Sequence, residues 1–441
     1  MKFHVICRVG PNDEFHRRVA SDERILVVPV QHTGNPRRVG EEVLATLAER
    51  DLSPTDTAVD LLHAAFATYS ADLLVPREAS ADRWTREFTL HLPVLHLRRW
   101  QRARPTLVKL LTFLTGDRWM IELRGRQRLP SQPEAETPRL ASVLPEAVCL
   151  FSGGLDSFIG AIDLLGSNRR AALVGHYGYG GNVSFPQHES FGYLHDHFGD
   201  LAEHFAFRVV PPALKGKQEP TTRGRSFLFL ALGTIVASAC SPGTPLLVPE
   251  NGLISLNIPL TPARSGSSST RTTHPYLVML YRKLLAQLRI DVDVQLPCRF
   301  RTKGEMLNAC RNPMLLRGGL AKTMSCAHPG VGFRVGGDPK QHCGYCVPCL
   351  IRRASLKAAR ILNIETYFVD VIAAPPPANS ERGEDLRAMQ MALGRLRGAP
   401  SYRYTFEALK SGPLPASAAD VQKYAGVYRR GLEEVRAFLE P

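Results

Sequence analysis

The residues Ser152-Gly153-Gly154-Leu155-Asp156-Ser157 follow directly on the apolar run Val148-Cys149-Leu150-Phe151 and precede a stretch with helical periodicity, Phe158 to Leu165. Two adjacent glycines let a backbone turn its amides inward and come close to an anion, where a Cβ would stand in the way. The N-terminus of the following helix adds partial positive charge. Ser152 and Ser157 bring hydroxyl donors, and Asp156 suits either a magnesium ion or a helix cap. The string therefore reads as a cradle for the phosphates of a nucleotide. It lacks the Gly-Lys-Ser/Thr ending of a Walker loop, which disfavours transfer of a terminal phosphate. The plainer alternative is a serine-glycine turn whose Asp156 only caps a helix.

A second chemical pattern lies downstream. Cys343, Cys346 and Cys349 are each separated by two residues, and Cys326 precedes them. Four thiolates in this spacing form a closed tetrahedral set suited to zinc, with no position left for a reactive water. Their role is then structural, bracing the domain at its far end from the glycine loop. An iron-sulfur cluster is the competing metal. His328 and His342 lie close by in sequence and read as neighbours of the site or as unrelated to it. The remaining cysteines, Cys7, Cys149, Cys240, Cys298 and Cys310, are dispersed and read as small buried apolar residues.

These groups need elements to position them. From 147 to 372 the texture alternates strand and helix: Val148 to Phe151, Phe158 to Leu165, Ala171 to Tyr177, Phe185 to Phe198, Phe207 to Val210, Arg225 to Ala239, then Leu246 to Val248. Such alternation predicts a doubly wound α/β domain with a parallel sheet, whose ligand site lies at the carboxyl edge of the strands. Residues 1–130 read as an N-terminal α+β module, with strands at Lys2 to Val9, Arg24 to Val30 and Trp119 to Leu123. Phe88, Leu90 and Leu92 alternate with polar residues as on a half-buried strand. Ser53-Pro54-Thr55-Asp56 opens a helix carrying Val59, Leu62, Phe66, Tyr69 and Leu73 on one stripe, and Thr106 to Leu114 forms another. Residues 131–146 read as a linker, Thr261 to Thr273 as a mobile loop, and 373–441 as a C-terminal extension with two helices, Glu384 to Arg397 and Ala416 to Leu439.

Bulk properties narrow the class. A chain of 441 residues with 44% hydrophobic and 22% charged content is ordinary for a folded globular protein. No apolar run approaches the ~20 residues needed to cross a bilayer, and the start lacks the features of a signal peptide. The expected location is the cytoplasm, with no membrane partner. A formal charge of +14 would draw acidic partners. The arginines are scattered rather than blocked, so direct nucleic-acid binding is allowed but not favoured.

The glycine loop followed by Ser325-Cys326 and Cys343-Gly344-Tyr345-Cys346-Val347-Pro348-Cys349, with Arg352 and Arg353 after them, resembles the QueC family, the 7-cyano-7-deazaguanine synthases. Arg225-Ser226-Phe227-Leu228-Phe229 and Thr302-Lys303-Gly304-Glu305 are similar to two further motifs of that family. The resemblance covers 147–372, about half the chain, and implies a Rossmann-like PP-loop fold with a zinc knuckle. It implies an enzyme that uses ATP and Mg2+ to adenylate a 7-deazaguanine carboxylate, releasing pyrophosphate, on the way to an amide or nitrile. By that likeness residues 152–157 hold the nucleotide, Arg225 touches its phosphates, and Lys303 offsets charge on the leaving group. Asp156, Arg225 and Lys303 are then the catalytic candidates.

The chain departs from the family in its added N-terminal module, its C-terminal extension, and Glu250-Asn251-Gly252 with Arg271 to Pro275 where the family's substrate-reading segment is expected. Glu250 and Asn251 are the candidates for pairing with a guanine-like edge, a turn without ligand being the alternative. With these departures the chain looks closer to the longer QueC-like proteins of bacterial anti-phage systems, especially QatC of the Qat system. That likeness implies partner proteins of a defence operon. Two other readings stand beside it: a PP-loop enzyme modifying tRNA, and a non-catalytic nucleotide-binding subunit.

Overall fold

The computed structural model of the chain describes residues 1–30, 39–128, 144–178, 181–211, 218–219, 223–264, 271–331, 338, 340–361, 365–415 and 417–440. Its strands form two sheets, of four and five strands, and every pairing in both is parallel. Parallel neighbours require crossover connections, which helices supply for most of the strands, and the fold is α/β.

The first sheet has the order β2-β1-β3-β4, with β1 Lys2–Val9, β2 Glu23–Val30, β3 Glu87–Val94 and β4 Arg118–Gly125. The expectation of an α+β module for 1–130 is corrected by this pairing. Local propensity marks where a strand lies but not the direction in which it pairs. β3 is not half-buried either. Phe88, Leu90 and Leu92 enter the core, and Thr89 and His91 on its other face are buried as well. The helix Asp56–Leu74 starts where expected, because Thr55 accepts the Ala58 amide as N-cap. Its companion is longer than expected, Leu97–Thr115, with Pro105 inside it. The helix Val39–Ala48 had no counterpart in the sequence reading.

The second sheet has the order β7-β6-β5-β8-β9, with β5 Ala147–Leu150, β6 Ala171–Tyr177, β7 Ala202–Arg208, β8 Thr244–Leu247 and β9 Val292–Gln295. Alternate residues of its strands enter different cores. Val148, Leu150, Val174 and Leu246 pack with the helices Gly224–Ala239 and Pro275–Leu288, whereas Cys149, Phe151 and Leu173 pack with the helix Leu155–Leu165. Burial on both sides explains the unbroken apolar runs that mark these strands in the sequence. The chain steps outward from β5 to β7 and then returns to β8 on the opposite side of β5.

The two sheets share one hydrophobic core, because helix Asp56–Leu74 packs along helix Gly224–Ala239. At their crossing Asp72 Oδ2 accepts the Gly224 amide at 2.6 Å, and fully buried Arg86 bridges Asp72 and Asp117 at 2.5 and 2.7 Å. The C-terminal region holds three helices, Glu381–Arg395, Ser401–Leu409 and Ala418–Leu439, one more than expected. They form a separate core with Cys343, Cys346, Cys349 and Leu350. Residues 131–143 of the expected linker and 265–270 of the expected mobile loop lie outside the described residues. Among the described residues no helix is long and apolar enough to cross a membrane.

Candidate active site

β5 ends at the point where the strand order reverses, and the loop 152–157 leaves it there. Gly153 has φ +75°, and a Cβ on it would stand 2.7 Å from the Gln187 amide nitrogen. Both facts demand glycine. The loop is tied back on itself: Ser157 Oγ accepts the Ser152 amide at 3.2 Å and donates to the Gly154 carbonyl at 2.9 Å. A second segment of chain then brackets it, the Met324 amide donating to Gly153 O at 2.9 Å and Ser325 Oγ accepting the Leu155 amide at 3.1 Å. Among the described residues the amides of Gly153, Asp156 and Ser157 meet no acceptor. Open amides at the start of an eleven-residue helix are the groups an anion would take.

Asp156, on the first turn of that helix, is 7% exposed. Its Oδ1 lies 2.7 Å from Lys303 Nζ, and its Oδ2 accepts from Asn251 Nδ2 at 2.6 Å and from the Asn251 amide at 3.1 Å. The three expected residues Asp156, Asn251 and Lys303 thus meet at one point although they come from three separate segments. Lys303 begins the helix Lys303–Asn308, which Thr302 and Glu305 open with a reciprocal capping box. Asn251 caps the helix Gly252–Leu256 with Oδ1 while its Nδ2 serves Asp156, and it is wholly buried. Its carboxamide is therefore engaged within the fold, which makes it a holder of Asp156 rather than an open edge for a ligand. Glu250 beside it retains some exposure and accepts only a long bond, 3.4 Å, from Thr273 Oγ1. Burial, with the Asp156 carboxylate next to it, pushes Glu250 up to about 7 despite the nearby Lys303.

Arg225 does not reach this cluster. It donates from Nε to His176 Nδ1 at 3.1 Å and to the His176 carbonyl at 3.3 Å. The same carbonyl accepts Gln187 Nε2 at 3.1 Å. Among the described residues Arg225 is therefore linked to the loop through His176 and Gln187. Burial and the Arg225 guanidinium hold His176 down to about 3.

Cys326, Cys343, Cys346 and Cys349 come together with all four sulfurs within 4.8 Å of one another. A tetrahedral zinc site with Zn–S of about 2.3 Å requires sulfurs about 3.8 Å apart, and Cys343 to Cys349 is 3.7 Å and Cys326 to Cys346 is 4.0 Å. Backbone amides of Ala327, His328, Cys343 and Cys346 donate to these sulfurs at 3.3–3.4 Å, the arrangement that favours thiolates. Gly344 has φ +85° and no room for a Cβ, 2.1 Å from Val369 O. The donor set fits zinc.

The expectation that this knuckle lies at the far end of the domain from the glycine loop is corrected. Cys326 follows directly on Met324 and Ser325, which hold the loop, and the Ser325 amide donates to His342 Nε2 at 3.2 Å. Sequence distance hid a contact that only folding makes. Arg352, which follows the last cysteine on the helix Val347–Ala358, is wholly buried. It pairs with Glu365 and donates to Thr323 Oγ1, Leu320 O and Ser325 Oγ. Met324, Ser325 and Gln187 were not singled out for any role at the loop, and their one sequence signal is the position of Ser325 beside the first cysteine. Of the five dispersed cysteines, Cys7, Cys149, Cys298 and Cys310 are buried as expected, whereas Cys240 is only partly buried. Burial pushes Cys7, Cys149, Cys240, Cys298 and Cys310 up to about 12, far from a reactive thiolate.

No protein-family model matches the chain, and no curated protein matches it.

Proposed function

We propose that the chain is an ATP-dependent adenylating ligase with a PP-loop at residues 152–157 of a doubly wound, Rossmann-like domain. The observation that carries this reading is the convergence of Asp156, Lys303 and open backbone amides at the reversal of strand order, the position where such sheets take nucleotides. The loop amides and Ser152 suit the phosphates of ATP, and Asp156 suits the magnesium ion that accompanies them. Magnesium supplies charge neutralisation on the departing pyrophosphate. Lys303 adds a second cation, and its place on Asp156 keeps it at the loop.

The acid attacks the α-phosphorus through a carboxylate oxygen, the bond to the β-phosphate oxygen breaks, and pyrophosphate leaves. An amine then attacks the carboxyl carbon, AMP departs, and an amide results. Activation is needed because hydroxide is a poor leaving group and AMP a good one. The likeness to QueC points to a 7-deazaguanine carboxylate as the acid, and the likeness to QatC points to work among partner proteins of an anti-phage system. Glu250, with a weakly engaged carboxylate at the same edge, suits the ring N–H and exocyclic amine of a guanine-like base. Arg225 is at present held by His176, so a role on phosphate requires its release.

The test is release of pyrophosphate and AMP on mixing the protein with ATP, magnesium and 7-carboxy-7-deazaguanine, with ammonia or co-purified proteins as acceptor. Release that depends on the acid and is lost in Asp156→Ala supports the reading. Nucleotide bound but never cleaved with any acid overturns it in favour of a binding subunit.

A further inference from the structure

The helix Ala418–Leu439 lies behind both of the groups that hold Asp156. On one side Gly431 faces the helix that Asn251 caps: a Cβ on Gly431 would meet Leu253 at 2.6 Å, and one on Gly252 would lie 3.0 Å from Val427. On the other side Glu434 reaches the start of the Lys303 helix. Thr302 Oγ1 donates to Glu434 Oε1, the Gly304 amide donates to the same carboxylate, and a Cβ on Gly304 would lie 2.6 Å from it. One turn away Arg430 grips the other half of the capping box. It donates to both oxygens of Glu305, at 2.5 and 3.2 Å, and to the Phe300 carbonyl at 2.9 Å.

A helix of six residues, Lys303–Asn308, is too short to hold its own geometry. Its first residue is the lysine whose ammonium must sit at a fixed place against Asp156. The four-carbon stem of a lysine is flexible, so the place of the ammonium depends on how firmly the backbone at Thr302, Lys303 and Gly304 is held. Glu434 and Arg430, one turn apart on the same helix, hold it at two points. Glu434 also accepts Ser355 Oγ at 3.4 Å, from the helix Val347–Ala358 that leaves the cysteine knuckle. A half-buried carboxylate with these donors is a joint between the lysine segment and the knuckle, not a solvated surface acid.

Resting on the reading of Lys303 above, we propose that Glu434 and Arg430 are positioning residues for Lys303, and that the C-terminal helix is a working part of the catalytic centre. They act through the lysine and touch neither nucleotide nor acid.

The experiment compares Glu434→Gln and Arg430→Met with the parent protein and with Glu433→Gln, an exposed neighbour as control. Three quantities are read: steady-state pyrophosphate release, bound zinc, and labelling of Lys303 by an amine-reactive reagent, quantified by peptide mass spectrometry. Both variants should lose about 10- to 100-fold in kcat, with KM for ATP changed little and zinc retained. Labelling of Lys303 should rise several-fold as its anchor loosens. Arg430→Lys should restore part of the loss. Unchanged turnover and unchanged labelling in both variants overturn the proposal. A parent that releases no pyrophosphate, together with raised Lys303 labelling in the variants, sinks the enzymatic reading and leaves the positioning role standing. If Glu434→Gln loses zinc and folding, Arg430→Met decides the matter by the same labelling measurement.

Discussion

The chain builds a parallel sheet twice, and in each the strand order reverses beside the first strand of the set: β1 lies between β2 and β3, as β5 lies between β6 and β8. At the first reversal the strand ends are closed by the protein's own charges. Asp13 accepts the Val9 amide at 2.9 Å and pairs with Arg124 at 2.5 Å, while Asp60 accepts the Leu95 amide at 2.8 Å and pairs with Arg126 at 2.7 Å. At the second reversal two glycines leave amides open, and the charged groups Asp156 and Lys303 meet at the helix that begins there. Topology supplies a crevice in both places, and among the described residues the open loop amides are found at the second. The first sheet is joined to the second through a continuous core and the buried Asp72–Arg86–Asp117 network.

The contrast can be broken at several points. The largest effect is expected from Cys346→Ser. Structural zinc sites contribute on the order of 10 kcal/mol, so the variant should lose its metal. Hydrogen exchange should then show lost protection at the glycine loop and helix Val347–Ala358, with β1–β4 still protected. Equal loss in both sheets would mean that the knuckle supports the whole fold rather than the loop.

Next comes Lys303→Met, which removes the cation opposing Asp156 and should lower pyrophosphate release by roughly 10²- to 10³-fold. Nucleotide binding without acid, followed by calorimetry, should weaken far less. The matching change in the first sheet is Asp60→Asn. It removes the carboxylate of a buried pair with Arg126 and should cost about 3 kcal/mol in denaturant unfolding, with turnover per folded molecule unchanged. A fall in turnover instead would give the first reversal a functional part and end the contrast.

Smaller effects come from the glycines. Gly153→Ala faces both φ +75° and the Gln187 backbone, and should cost about 2 kcal/mol and most of the nucleotide affinity. Gly10→Ala faces the unfavourable φ of +86°, at about 1 kcal/mol, and should leave affinity intact. Thermal melts with and without ATP separate the two.

A last effect, confined to part of the pH range, comes from Glu250. Glu250, raised from 4.5 to about 7 by burial and by Asp156, binds a proton more readily folded than unfolded. Its contribution to stability is complete below its ordinary range and is lost as pH rises through 7. Glu250→Gln should escape that loss and exceed the parent by about 1–2 kcal/mol above pH 7. A ligand that donates hydrogen bonds to Glu250 favours its charged form, so binding near neutrality should release protons, seen as a buffer-dependent heat.

Several features were legible in the sequence because their cause is local. A glycine pair between an apolar run and a helical stripe marks the loop wherever it folds, and Cys343, Cys346 and Cys349 are close in space because they are close in sequence. Thr55 shows its capping role through the residues around it. The direction of pairing in β1–β4 was not legible, since Val, Ile and Phe favour parallel and antiparallel strands alike. Nor was the use of Asn251, whose carboxamide reads equally as a ligand for a base or for a neighbouring aspartate.

The sequence by itself determined that this is a chain of alternating strands and helices with one anion-suited turn and one four-thiolate knuckle, since each of these rests on residues within a few positions of one another. Only the tertiary structure decided that the knuckle stands against the turn through Met324 and Ser325, that Lys303 faces Asp156, and that helix Ala418–Leu439 backs both. These contacts join segments more than a hundred residues apart. No local periodicity encodes such meetings; they are settled by which apolar faces bury one another when the whole core closes.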